Sequence, residues 1–167
     1  NGKMQKAIKN QEFKVHLQPM LNKDDLTLGA AEALIRWEKP GEGLISPGAF
    51  IPAAEKNGFI VKIGDFVFKE VCRLIKKWES EGKDTCPISI NVSVKQLERP
   101  EFIHRIKSNL ELYNVDTSMI ILEITESIAL EESESVRKVL SELRHMGFSI
   151  AIDDFGAGHS SLTYLRD

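Results

Sequence analysis

The stretch MIILEITESIALEESESVRKVLSELRHMGFSIAID, residues 119–153, decides the fold class. Met119–Thr125 alternates with a period of two: Ile120, Leu122 and Ile124 share one face, and Ile121, Glu123 and Thr125 share the other. A helical pattern then runs over Ser133–Met146, and Gly147 stands where a helix ends on a residue of positive φ. Phe148–Asp153 alternates again, with Phe148, Ile150 and Ile152 opposed to Ser149, Ala151 and Asp153. A strand, a crossover helix and a second strand form the unit that joins parallel neighbours in a sheet.

Read outward from there, the same alternation extends upstream. Helix Phe102–Tyr113 precedes the first strand of the unit, and strand Pro87–Val92 precedes that helix. Before it, Ile63, Phe66, Val67, Val71, Leu74, Ile75 and Trp78 recur at helical spacing, with Lys69, Arg73, Lys76 and Lys77 on the other side. Ser46-Pro47 is a helix start, a hydroxyl N-cap followed by proline at the first position, and Gly58 closes that short helix. Residues 40–45 read as a loop. At the N-terminal end the pattern changes. Phe13–Gln18 is a strand ended by Pro19, and Leu26–Trp37 is a second extended run. With the turn residues Asn22–Asp25 between them, the two are expected to pair as an antiparallel hairpin. Downstream, Ser160–Leu165 resembles the opening of another helix. The class is α/β, with a largely parallel sheet that is either open or closed into a barrel.

Composition bounds the function. The chain has 167 residues, about one domain's worth, with no linker, repeat or low-complexity segment, so 1–167 reads as a single domain. Its 42% hydrophobic and 28% charged residues suit a globular core. The net charge of −3, from 22 Lys+Arg against 25 Asp+Glu, argues against coating a nucleic acid or an anionic membrane. No apolar run reaches the roughly 18 residues that span a bilayer. Cys72 and Cys86 form no metal-type pair, which points to a reduced, cytoplasmic setting. Trp37 and Trp78 read as core, because aromatic residues make up only 7% of the chain.

The polar faces of the strands carry the chemistry. Glu32, Leu34 and Arg36 share one face, as do Ser89, Asn91 and Ser93, then Ile121, Glu123 and Thr125, then Ser149, Ala151 and Asp153. A parallel sheet is normally covered on both sides, so carboxylates on a covered face need a compensating cation. Glu32, Asn91, Glu123, Asp153 and Asp154 offer oxygen ligands only, which favours magnesium, manganese or calcium. Two hard cations bridged by a carboxylate are the usual equipment for displacement at phosphorus, and Arg36 adds a forked phosphate donor. His16, His104, His145 and His159 are scattered, which argues against a catalytic histidine.

These residues fall into motifs that resemble a known family. Glu32-Ala33-Leu34 with Arg36 resembles the signature of the EAL domain family of bacterial cyclic di-GMP phosphodiesterases. The likeness extends over Gln18-Pro19, Ser46-Pro47 through Glu55, Asn91-Val92-Ser93, Glu123-Ile124-Thr125-Glu126-Ser127 and Asp153-Asp154-Phe155-Gly156 through Leu162. It implies a modified TIM-type barrel whose first strand is antiparallel, and hydrolysis of cyclic di-GMP to linear pGpG with magnesium or manganese. It further implies Glu32, Asn91, Glu123, Asp153 and Asp154 as metal ligands, with Asp153 bridging. Gln18 and Arg36 become substrate contacts, and Glu126 positions the loop after its strand, although the same residue could simply cap the following turn.

A complete barrel of this type needs about 250 residues. The chain is therefore expected to be C-terminally truncated, lacking the family's later lysine, glutamate and glutamine. Its open edge would then be hidden by dimerisation or strand exchange. The alternative to a phosphodiesterase is a module that binds cyclic di-GMP, or a partner, without turnover.

Overall fold

A computed structural model describes residues 2–130 and 133–153. The chain begins with a helix, α1 (Gly2–Lys9), which the sequence reading lacks. It buries Met4 and Ala7 at helical spacing. Strand β1 (Phe13–Leu21) and strand β2 (Leu28–Lys39) pair antiparallel, from Phe13 opposite Trp37 to Leu21 opposite Leu28, so the expected hairpin forms. Pro19 does not end β1. The strand lies at the edge of the sheet, and an edge tolerates a residue without an N–H when that position faces away from the ladder. Within residues 40–45, read as loop, Gly43–Ile45 forms a short strand, β3, which folds back on β2 with Ile45 opposite Trp37.

Helix α2 (Pro47–Lys56) starts as expected on Pro47, with Ser46 extended at the N-cap but without a side-chain cap bond. Gly58 follows its end at φ +75. Helix α3 (Ile60–Ser80) buries Ile63, Val67, Val71 and Ile75 along one stripe and leads to strand β4 (Ile88–Asn91). Two helices follow, α4 (Val94–Leu97) and α5 (Phe102–Tyr113), and the second ends on Asn114 in the left-handed region. Strand β5 (Ile120–Thr125) runs directly into helix α6 (Glu126–Ala129). Helix α7 (Glu134–His145) returns the chain to strand β6 (Ser149–Asp153).

The path of the sheet is β1-β2-β4-β5-β6, with β3 attached to β2. The β2–β4, β4–β5 and β5–β6 pairs are all parallel, so one antiparallel strand opens an otherwise parallel arc. Ile88, Ile90, Ile120, Leu122 and Ile124, the outer face of the central strands, are buried with the inner stripe of α3. Each such side chain contributes about 1.5–3 kcal/mol through burial. Trp37 is core, stacked among Phe13 and Phe50, and its indole N–H donates to Glu12 at 2.9 Å. Trp78 packs partly buried against the same core. Among the described residues no helix is long and apolar enough to cross a membrane.

Candidate active site

The polar face of each parallel strand carries an acid or amide: Glu32 in the first half of β2, Glu123 two residues before the end of β5, and Asn91 and Asp153 on the last residues of β4 and β6. The register sets them in a rising staircase. Gln18 on β1 lies opposite Glu32 on β2, and Glu32 opposite Ser89 on β4. Two residues further along, Asn91 lies opposite Glu123 on β5; beyond that, Thr125 lies opposite Asp153 on β6. This stagger is the shear of a barrel wall, and it brings side chains from different strands to one rim.

The contacts at that rim are specific. Asn91 Nδ2 donates to Glu32 Oε1 at 2.8 Å, a diagonal reach across the β2–β4 pair. The donation uses the amide nitrogen of Asn91 and leaves its carbonyl oxygen, the atom a hard cation takes. Burial pushes the Glu123 carboxyl above its ordinary range, and Glu32 and Asp153 push it the same way. The buried Ser89 hydroxyl beside Glu123 only partly offsets them. A half-buried Glu123 carboxyl whose ionisation two neighbouring acids oppose favours a cation beside it. The donor set is all oxygen and suits a hard divalent ion.

Among the described residues, no three Asp, Glu, His or Cys side chains close round a single ion position. The set read from the sequence completes itself with the amide of Asn91 and with Asp154, and Asp154 lies outside the described residues. So do His159 and the Ser160–Leu165 segment.

Arg36 stands half-buried two residues beyond Leu34, its Nη1 donating to the Ile35 carbonyl at 3.1 Å. It borders a cavity of about 470 Å³ that opens among the ends of β2, β4 and β5 and helices α2 and α3, with Asn91, Ser93 and Glu123 on its lining. Glu126 is the first residue of α6, half-buried and following the Thr125 N-cap. That position is compatible with both roles considered for it. Gln18 is exposed on the edge strand. His16, His104 and His145 are exposed, on β1, α5 and α7, and the His16 imidazole lies 3.8 Å from the Glu38 carboxylate.

Two polar residues here escaped sequence reading. Ser89 was visible only as a member of a face, and Gln96 not at all. Gln96 is buried at 5% exposure, and its Oε1 accepts the Ser93 N–H at 3.1 Å. The Ser93-x-x-Gln96 spacing is a capping-box pattern and carried the signal.

The family comparison agrees with this geometry. The EAL domain model matches residues 1–167. The chain is 37% identical over 163 residues to the bifunctional diguanylate cyclase/cyclic di-GMP phosphodiesterase MucR of Pseudomonas aeruginosa, covering 98% of this chain and 24% of that protein. It is 32% identical over 163 residues to the cyclic di-GMP phosphodiesterase NbdA of the same organism, covering 98% of this chain and 21% of that one. The solved cyclic di-GMP complex of the PaMucR phosphodiesterase superposes with a TM-score of 0.90 at 37% identity, over 98% of this chain and 66% of that one. The chain thus spans about a quarter or less of the length of these two curated relatives. With the antiparallel first strand, the parallel arc and the acid-bearing rim in place, the chain belongs to the EAL domain family.

Proposed function

We propose that this chain carries the metal-ligand side of an active site that hydrolyses cyclic di-GMP to linear pGpG in the intact protein. The observation that carries the reading is the rim itself. Glu32, Asn91, Glu123 and Asp153 come from four strands, and the Glu123 carboxyl is raised by burial and by the two acids that face it. Similarity to proteins named as cyclic di-GMP phosphodiesterases supports the substrate class.

In this reading Glu32, Asn91, Glu123, Asp153 and Asp154 would hold two magnesium or manganese ions. When bound, such a pair makes water more acidic and neutralises the charge that develops at phosphorus. The chain's own residues do the rest. Arg36 offers its guanidinium to a phosphate from the edge of the cavity, and Gln18 contacts the dinucleotide from the facing strand. Glu126, at the start of α6, fixes the exit of β5 and with it the place of Glu123. Residues 1–167 act as one domain, and coverage of 66% of the PaMucR phosphodiesterase chain is consistent with their forming the ligand-bearing portion of the fold. Two buried free thiols suit a reduced, cytoplasmic setting.

The test is turnover. The intact protein, incubated with cyclic di-GMP and Mn2+, should release pGpG on chromatography, and Glu32→Ala should lower the rate by at least about a hundredfold. No pGpG from the intact protein, or full activity in Glu32→Ala, overturns the reading.

A further inference from the structure

Among the described residues only Ser89 and Gln96 are buried polar side chains. Ser89 lies beside Glu123, whereas Gln96 bonds the backbone of Ser93. It sits on α4, a helix of four residues, and its Oε1 accepts the N–H of Ser93, two residues after Asn91. From the other side it presses on Gly64 of α3. A Cβ added at Gly64 would overlap the Gln96 amide nitrogen and come to 2.5 Å from its Cδ. Glycine at 64 is therefore the seat on which this side chain rests.

The turn that Gln96 grips is the one that presents Asn91. On its β5 side the turn is tied by the Val92 N–H, which donates to the Glu123 carbonyl at 2.8 Å. On its other side Asn91, Val92, Ser93 and Val94 all border the cavity of about 470 Å³, so packing there is incomplete. Val92 anchors the turn in the core, and on the side that borders open space its position depends more on its hydrogen bonds. The backbone N–H groups of Gln96 and Leu97 bind the Ser93 carbonyl, and the Gln96 side chain adds the bond that fixes the Ser93 N–H.

We infer that Gln96, seated on Gly64, is a positioning residue for Asn91. It fixes the Asn91–Ser93 turn, so that the Asn91 amide stays against Glu32 and its carbonyl oxygen is left to serve as a ligand. This rests on Asn91 being a ligand, as proposed above. A cap that served stability alone would leave cation affinity untouched, which separates the two roles.

The experiment measures Mn2+ affinity calorimetrically on the intact protein, alongside melting temperature and turnover. Gln96→Met keeps the length of the side chain and removes the acceptor; Gln96→Glu keeps an acceptor. Gln96→Met should weaken Mn2+ binding about tenfold, the lower end of what loss of an outer-shell partner does, and Gln96→Glu should stay within about twofold of the native protein. Gly64→Ala should reproduce the Gln96→Met loss by displacing the same amide, and the double variant should be no worse than either alone, since both changes break one device. Ile75→Ala, a core truncation further along α3, should lower the melting temperature and leave Mn2+ affinity unchanged.

Native affinity in both Gln96→Met and Gly64→Ala, with affinity lost in Asn91→Ala, overturns the positioning role while sparing the site. An equal loss of affinity in Gln96→Met, Gln96→Glu and Ile75→Ala overturns it as well, since stability alone would then be responsible. Native affinity in Asn91→Ala overturns the site reading, and the inference with it.

Discussion

At the scale of single residues, Glu123 carries the clearest physical signature. Its carboxyl is raised first by burial and then by Glu32 and Asp153, so the folded state holds its proton more tightly than the unfolded chain does. The metal-free protein therefore loses stability as pH rises from the ordinary glutamate range through the raised folded value. Glu123→Gln carries no such loss. In EDTA its urea midpoint should exceed that of the native protein at pH 7, with the gap closing towards pH 4, while turnover is abolished. A midpoint below the native one at pH 7 would contradict the electrostatic account. Cys72 behaves as a core residue. Burial pushes its thiol up to about 12, which leaves roughly one thiolate in ten thousand at pH 8. Titration with Ellman's reagent should show Cys72 unreactive in the folded protein and fully reactive in guanidinium.

At the scale of elements, local chemistry sets most of the boundaries. Gly147, read from the sequence as a helix terminus, has φ +96. The Phe148 N–H reaches back to the Leu143 carbonyl and the Gly147 N–H to that of Arg144, so α7 closes with two backward bonds before β6 begins. A side chain there meets both the left-handed backbone and the Thr117 hydroxyl, which would lie 2.8 Å from the new Cβ. Gly147→Ala should cost about 1–2 kcal/mol in urea unfolding. Besides α1, the elements that sequence reading missed, β3, α4 and α6, are short. Three or four residues carry too little periodicity to be seen, and they form because a longer neighbour offers them a partner: β2 for β3, α3 for α4, β5 for α6. The extension of β1 past Pro19 has a similar origin, since its edge position, visible only in the sheet, removes the usual penalty.

At the scale of the whole molecule, the rim is a site whose like charges cost stability when no cation lies between them. A ligand that binds only the folded state stabilises it by mass action, by about 2.7 kcal/mol at a hundred times its dissociation constant. Saturating Mn2+ should therefore raise the melting temperature of the intact protein, and EDTA should reverse the rise. Glu32→Ala and Glu123→Gln should each remove most of it; an unchanged rise in both would place the cation elsewhere.

The sequence by itself determined the order of the longer strands and helices from β1 onward, the parallel character of the sheet after the first hairpin, and which face of each strand bears acids. All three follow from period-two and helical spacing, which local residues impose whatever they later touch. It also placed Glu32, Asn91, Glu123 and Asp153 in one motif set. Tertiary structure alone decided the register that ranks them in a staircase, the Asn91–Glu32 bond, and the crowding that raises Glu123. It alone revealed Gln96 on Gly64 behind the turn. Those depend on how far one strand is displaced along the next and on how closely two helices approach. Distances of that kind are fixed by packing between segments far apart in the chain, and no local spacing encodes them.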